Sequence, residues 1–490
     1  MEITLRHFKN GGIKMDIVTL ARFQFAMTTV FHFFFVPFSI GTAFVVAILE
    51  TLYVRTKNDA YKKLAKFWGN IFLLSFAVGV VTGLIQEFQF GMNWSDYSRF
   101  MGDIFGAPLA LEALLSFFIE STFIGLWVFT WDRVKKGMHL FFIWMTCIGT
   151  LTSALWILTA NSFMQHPVGY AIRNGRAEMV DFFALLQNPQ LWFEYGHVIF
   201  AALTMGGVIL AGLTAFQMLK KDTSAEAKGL YKKSMRLGLV MATLFSALTI
   251  LVGDLQMKYL IEEQPMKFAA TEAVYKTTGD QAPWTLVGIA DTKKHEVKYN
   301  IDIPVMLSVL SYGKTTGAVT GMDELNQQMK EKYGTTINGV EMDYIPPVNT
   351  LFWSFRVMAG FGAWIILVSI IGLWLTRKKK ETLYQKRWML WVLALTTFTP
   401  FLANTAGWFI TEFGRYPWTV YGLFTIQQSI SPNVSATSLL VSNIVYFTVF
   451  TVLAIVMIGL VKRQLKNDPT QVQEHDYAQK ILDPFDKGAF

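Results

Sequence analysis

Glu112, Ser116 and Glu120 recur at every fourth position of a stretch that is otherwise almost wholly apolar. On a helix that spacing sets all three on one face along about 12 Å, at 1.5 Å per residue. An ionisable group near the centre of a bilayer costs at least ~2.5 to 3.5 kcal/mol, so a carboxyl kept there is a functional candidate by default. The line has the make-up of a proton relay, and Asp132 extends it about 18 Å further along the same helix. The alternative is helix-to-helix hydrogen bonding, for which serine alone would serve.

His197 and Met358 lie a similar short distance into two other apolar stretches. A His and a Met at equal depth in a helix bundle can be the axial pair of a haem iron, a ligation that raises the reduction potential. They can equally be a packed Met beside a hydrogen-bonded His. Arg356 would then balance a haem propionate or snorkel to the interface. His32 stands in Phe31-His32-Phe33-Phe34-Phe35-Val36-Pro37, where no neighbour in sequence satisfies an imidazole and Pro37 frees a backbone carbonyl one turn earlier. Either an iron or a polar group on another helix completes it. Glu412 opens Glu412-Phe413-Gly414-Arg415-Tyr416-Pro417-Trp418, which reads either as an interfacial aromatic turn with an ion pair or as a functional carboxylate.

These residues need membrane helices to position them, and the composition supplies them. Of 490 residues, 53% are hydrophobic and 16% charged, whereas soluble domains carry roughly 25% charged residues. Nine stretches reach the ~20 apolar residues that cross a bilayer: about 27–49, 68–86, 108–130, 138–160, 195–219, 234–253, 351–376, 388–410 and 438–461. The expected fold is therefore an all-α integral membrane bundle of nine helices. The single Cys147 excludes a disulfide framework. Basic residues gather in alternate short connections, including Lys62, Lys63, Lys66, Arg133, Lys135 and Lys136. The positive-inside rule makes those cytoplasmic, with the N-terminus outside and the C-terminal tail, 463–490, inside.

Residues 15–253 should hold the first six helices and 350–462 the last three. The connection at 254–349 carries 9 basic and 13 acidic residues and reads as one large extracytoplasmic loop. Arg6, Lys9 and Lys14 oppose this orientation. Residues 1–14 read as an upstream extension, with Met15 as the true start, because Lys9 to Lys14 can be encoded by a purine-rich ribosome-binding stretch.

The chain resembles subunit I of cytochrome bd-type quinol oxidases from Met15 through the ninth span. The segments that carry the likeness are FHFFFVP (31–37), FQFGMNW (88–94), GDIFGAPLALEALLSFFIESTFI (102–124), SALWILTAN (153–161) and GWFITEFGRYPW (407–418). The resemblance implies three non-covalent haems: a low-spin haem b on His197 and Met358 with Arg356 beside it, and a high-spin haem b and a haem d on His32 and Glu412. It puts Glu112 close to the oxygen-binding haem, and Trp408 and Arg415 near the same groups. Glu120, Ser121 and Ser153 match proton or oxygen routes. Lys267 and Glu272 match quinol-site residues in a short-form quinol-binding loop, for which menaquinol is a common donor and ubiquinol the alternative. It further implies a second subunit, a small single-span accessory subunit, a bacterial cytoplasmic membrane, O2 as oxidant and no nucleic acid. Tyr416 and Asn70 depart from the family pattern, which commonly has Gln and Lys there, and Asn70 puts one proton entry in doubt.

Overall fold

The computed structural model describes residues 16–377 and 381–470. The expectations for residues 1–14 and for the tail beyond 470 lie outside the described residues. Among those described, nine helices are long and apolar enough to cross a membrane, as the sequence predicts. The first two are α1 (Ile17–Thr56) and α2 (Asp59–Met92), started by the side chains of Asp16 and Asn58, which accept from otherwise unpaired backbone N–H groups. The third runs as α3 (Ser95–Leu111), a π-helical turn (Glu112–Ser116) and α4 (Phe117–Phe129), followed by α5 (Lys136–Gln165). Gly102, at φ +50°, kinks α3 where a side chain would be strained.

After the hairpin β1 (Tyr170–Arg173) and β2 (Arg176–Met179) come the short α6 (Phe182–Gln187) and the long α7 (Pro189–Leu219) and α8 (Ala225–Glu263). The long loop then folds as α9 (Pro265–Thr271), the hairpin β3 (Trp284–Asp291) and β4 (Glu296–Ile303), α10 (Met306–Tyr312), α11 (Met322–Tyr333) and a small hairpin β5 (Thr336–Ile337) and β6 (Val340–Glu341). The chain re-enters as α12 (Val348–Leu375). The eighth span is broken into α13 (Arg387–Thr396) and α14 (Thr399–Phe413). Pro400 cannot donate to the helix ladder there, and the Thr399 hydroxyl donates to the Thr396 carbonyl instead, at 2.8 Å. β7 (Trp418–Val420), β8 (Phe424–Thr425), α15 (Ile426–Ser429) and α16 (Ala436–Gln464) complete the order.

Two sequence expectations change. The fold is mostly helical and not purely so, because four two-stranded antiparallel sheets stand in the connections. The loop expected from residue 254 begins ten residues later, since α8 continues to Glu263 and only then turns at Gln264.

Helices α1 and α7 make the centre of the bundle, and α16 lies at its rim. The centre closes because Gly41 and Gly206 touch: a Cβ on Gly206 would come 2.4 Å from the Gly41 carbonyl carbon. Only small residues allow helix backbones this near, and in lipid such packing replaces the hydrophobic drive. The loop has its own core, in which Tyr275, Met322, Leu325 and Tyr344 pack with Leu351, Phe352 and Trp418. It is thereby fastened to the ends of α12 and α14, here termed the loop end of the bundle.

Candidate functional site

His197 has one ring nitrogen fixed by a neighbouring helix. Its Nδ1 lies 3.1 Å from the Thr249 carbonyl oxygen. A carbonyl only accepts, so Nδ1 carries the proton and Nε2 keeps the lone pair that a metal needs. The ring lies against Gly253 of α8, where a Cβ would sit 3.0 Å from Cε1. Met358 on α12 is set against Gly407 of α14, where a Cβ would come 3.3 Å from its sulfur. His32 is fixed in the same way as His197. Its Nδ1 is 3.0 Å from the Thr82 hydroxyl oxygen, and that hydroxyl itself donates to a helix carbonyl, Val78 or Gly79. The oxygen therefore accepts from Nδ1, and Nε2 again holds the lone pair.

Glu412, Arg415 and Trp408 line an open cavity of about 750 Å³, counting the space at its mouth, together with Phe25, Phe90 and Trp94. Arg415 donates from Nη2 to Glu412 Oε2 at 2.6 Å, and Asn161 donates to Oε1 at 3.3 Å. Nε and Nη1 of Arg415 are buried without a partner among the described residues. Free guanidinium donors beside an aromatic-walled cavity have the chemistry to hold the propionates and flat face of a haem, and Glu412 is the carboxylate that could reach its iron. His32 is absent from that lining, although its neighbour Phe33 meets the Trp408 ring at 4.3 Å. His32 and Glu412 thus stand in adjacent but separate places. Tyr416, the departure from the family pattern, offers its ring face to Arg22 at 5.4 Å.

The carboxyl line is partly as expected. Glu112, Ser116 and Glu120 are all buried, although the π-helical turn replaces the regular spacing assumed for them. Ser153 donates to Glu112 Oε1 at 2.6 Å, and Oε2 has no partner among the described residues. Ser116 donates to the Thr152 hydroxyl at 3.0 Å. Ser121 does not join them: it is exposed, and its hydroxyl turns back to the Phe118 carbonyl.

Asp132 is not on the helix either. The helix ends at Phe129, and Asp132 stands in the following turn with φ +63°, paired to Lys62 at 2.6 Å and near Lys66 at 3.8 Å. Partial burial opposes its ionisation, but the two lysines hold its carboxyl below the usual range.

Lys267 and Glu272 are buried beneath the loop and do not face an open groove. Lys267 donates to Gln165 Oε1 at 2.7 Å, and its stem lies on Gly414, one residue before Arg415. Burial, then the Arg415 charge, push the Lys267 ammonium down to about 7. Glu272 accepts from Trp284 Nε1 at 2.9 Å and from Arg356 Nη2 at 2.7 Å. Arg356 also donates to the carbonyls of Thr271 and Thr285. The arginine expected to serve a propionate is instead largely committed to the loop, with only Nε left unpartnered among the described residues. Burial raises the Glu272 carboxyl, and Arg356 opposes the rise.

Several buried or half-buried ionisable groups escaped the sequence reading. Glu194 accepts from Gln190 at 2.7 Å, Glu87 lies within electrostatic reach of Glu112, and Glu50 meets His139 Nδ1 at 2.7 Å and Trp127 Nε1 at 2.8 Å. Their signal was available: Glu50, Glu87 and Glu194 each fall one residue outside a span as estimated, and His139 falls inside the fourth.

Fold and site together define a multi-pass membrane protein with imidazole, thioether and carboxylate side chains set among its apolar helices. The family model for cytochrome bd terminal oxidase subunit I matches residues 20–469. The chain is 50% identical to cytochrome bd ubiquinol oxidase subunit 1 of Bacillus subtilis, over 97% of this chain and 99% of that one. It is 34% identical to cytochrome bd-II ubiquinol oxidase subunit 1 of Escherichia coli, over 95% and 99%. Among solved structures, the bd oxidase from Geobacillus thermodenitrificans superposes with a TM-score of 0.82 at 28% identity, covering 92% of this chain and 98% of that chain. The chain belongs to the family of cytochrome bd terminal oxidase subunit I, and it is the haem-family, quinol-oxidising subunit of a respiratory membrane enzyme that works with a second subunit.

Proposed function

We propose that this subunit oxidises quinol at the outer face of a bacterial cytoplasmic membrane and reduces O2 to water with protons drawn from the cytoplasm. Charge is thereby separated without a pump. In this reading His197 and Met358 hold a low-spin haem b, and His32 and Glu412 hold the high-spin haem b and the haem d. Bound haem supplies one-electron transfer and, where an iron position is open, oxygen binding and reduction. The chain's own part is placement and proton handling. Thr249 and Thr82 fix the tautomers of the two imidazoles, and Arg415 offers its free donors to anionic haem edges.

The observation that carries the reading is the fastening of the loop to both ligand regions. Arg356, two residues from Met358, is bonded to Glu272, and Lys267 lies on Gly414, two residues from Glu412. The Lys267 amine, buried beneath the loop and pushed down to about 7, can take up a proton that quinol bound over the loop gives off. On the oxygen side, the free oxygen of Glu112 and the carboxyl of Glu120 carry protons inward through the bundle. Menaquinol or ubiquinol is the donor. A small accessory subunit beside subunit II completes the complex and offers a proton entry that tolerates Asn70.

Proteoliposomes holding the complete oxidase test the reading. Quinol addition should consume oxygen and alkalinise the compartment that faces Lys62 and Asp132. Alkalinisation of the side bearing the quinol loop would overturn it.

A further inference from the structure

At the loop end, four side chains from three helices form a line to which the reading above gives no role. Glu194 of α7 is 7% exposed, and its Oε2 is buried without a partner among the described residues. The charges of Lys267, Arg415 and Glu412 act on it. Glu194 in turn lies within electrostatic reach of Tyr259 of α8, whose ring meets Phe193, the residue before Glu194, at 5.2 Å. The Tyr259 hydroxyl is 3.2 Å from Nδ1 of His166, the residue that ends α5. The same nitrogen is 3.0 Å from Glu263 Oε2, and the Glu263 side chain is 40% exposed.

One nitrogen between a hydroxyl and a carboxylate has two complementary states. Unprotonated, Nδ1 accepts from the Tyr259 hydroxyl; protonated, it donates to Glu263. That is the geometry of a hand-off, in which a proton enters from the buried side and leaves toward solvent.

We propose that Glu194, Tyr259, His166 and Glu263 form the exit route for protons released by quinol, running from the Lys267 side of the loop to the surface. The proposal rests on the reading that quinol is oxidised at this loop. Each quinol becomes a quinone by giving up two electrons, which the oxygen-reducing activity consumes, and two hydroxyl protons, which leave by this line. Every group on it receives one proton for each it passes on, so none is spent. The route requires one water between the free oxygen of Glu194 and the Tyr259 hydroxyl.

The test uses the intact oxidase complex with His166→Ala, Glu263→Gln and Glu194→Gln, each checked for an unchanged haem spectrum. Quinol-driven oxygen consumption should fall at least about tenfold in kcat for His166→Ala, with KM little changed, as for loss of a proton-transfer group. Added imidazole should restore it several-fold, which a merely structural role would not allow. Glu194→Gln should lose a similar amount without rescue. Should His166→Ala fail to assemble, Glu263→Gln carries the test, because it keeps the side chain's shape and should still lower kcat with KM little changed. Wild-type turnover in these variants, or a loss in His166→Ala that imidazole does not restore, overturns the exit route. Unchanged quinol turnover in Lys267→Ala overturns the quinol-site reading instead, whatever His166 does.

Discussion

Arg356 Nη2 donates to Glu272 Oε2 at 2.7 Å, with only 7% and 3% of the two side chains exposed. The helix that bears Met358 is therefore tied to the loop that bears Lys267 by a buried ion pair with further bonds to Trp284 and two carbonyls. Removing one partner of such a pair leaves the other charge stranded, at a cost of about 3–5 kcal/mol. Arg356→Ala should lower the unfolding temperature, speed amide exchange in α9 and abolish most quinol turnover. Arg356→Lys should recover only part, since one ammonium cannot replace a fork that reaches Glu272 and two carbonyls.

Lys267 gives a pH dependence with a definite sign. Its ammonium is pushed down to about 7, first by burial and then by Arg415. Between about 7 and the ordinary lysine value near 10.4, the unfolded chain binds more protons than the folded one, so this group makes stability rise with pH across that window. Turnover should fall as pH drops through 7, because the protonated amine no longer accepts from quinol. A pH–rate profile of Lys267→Gln should lack that inflection; an unchanged one would remove Lys267 from the step.

Glu120 and Asp132 should part company. Glu120 is buried, while Asp132 is exposed in a turn beyond the helix and held ionised by Lys62 and Lys66. Glu120→Gln should slow oxygen consumption by about tenfold or more with haem content kept, as expected for a lost proton carrier. Asp132→Asn should cost less than about 1 kcal/mol of stability, as for an exposed pair, and slow turnover less than Glu120→Gln does. Equal effects in steady-state oxygen uptake would restore Asp132 to the route.

Gly253→Ala presses on His197. The new Cβ would stand 3.0 Å from Cε1 and 3.2 Å from Nδ1, so the ring must shift by a few tenths of an ångström or lose its bond to Thr249. A redox titration of the low-spin haem should show a displaced midpoint potential, and Gly360→Ala, which meets open space, should not.

The nine helices were legible because length and hydropathy alone decide what spans a bilayer. The fold of the loop was not, since its core depends on Tyr275, Tyr344 and Trp418 meeting across long sequence separations. His32, His197, Met358 and Glu412 stood out as polar atoms in apolar surroundings, while their fixing partners did not: Thr249 and Thr82 act through an ordinary carbonyl and hydroxyl. Glu50, Glu87 and Glu194 were lost to span limits set one residue short. Asp132 was misplaced because nothing in its composition marks where the helix stops, and the bonds of Arg356 to the loop went unseen because its acceptors arrive from residues 71 to 85 positions away.

In the proposed function, His197 and Met358 hold a haem distinct from those at His32 and Glu412. The most direct measurement is the reduced-minus-oxidised spectrum of the purified complex, wild type against His197→Ala, with and without carbon monoxide. The low-spin b signal alone should be lost, with the carbon monoxide-sensitive high-spin signals retained. An undiminished low-spin signal in His197→Ala would contradict that assignment.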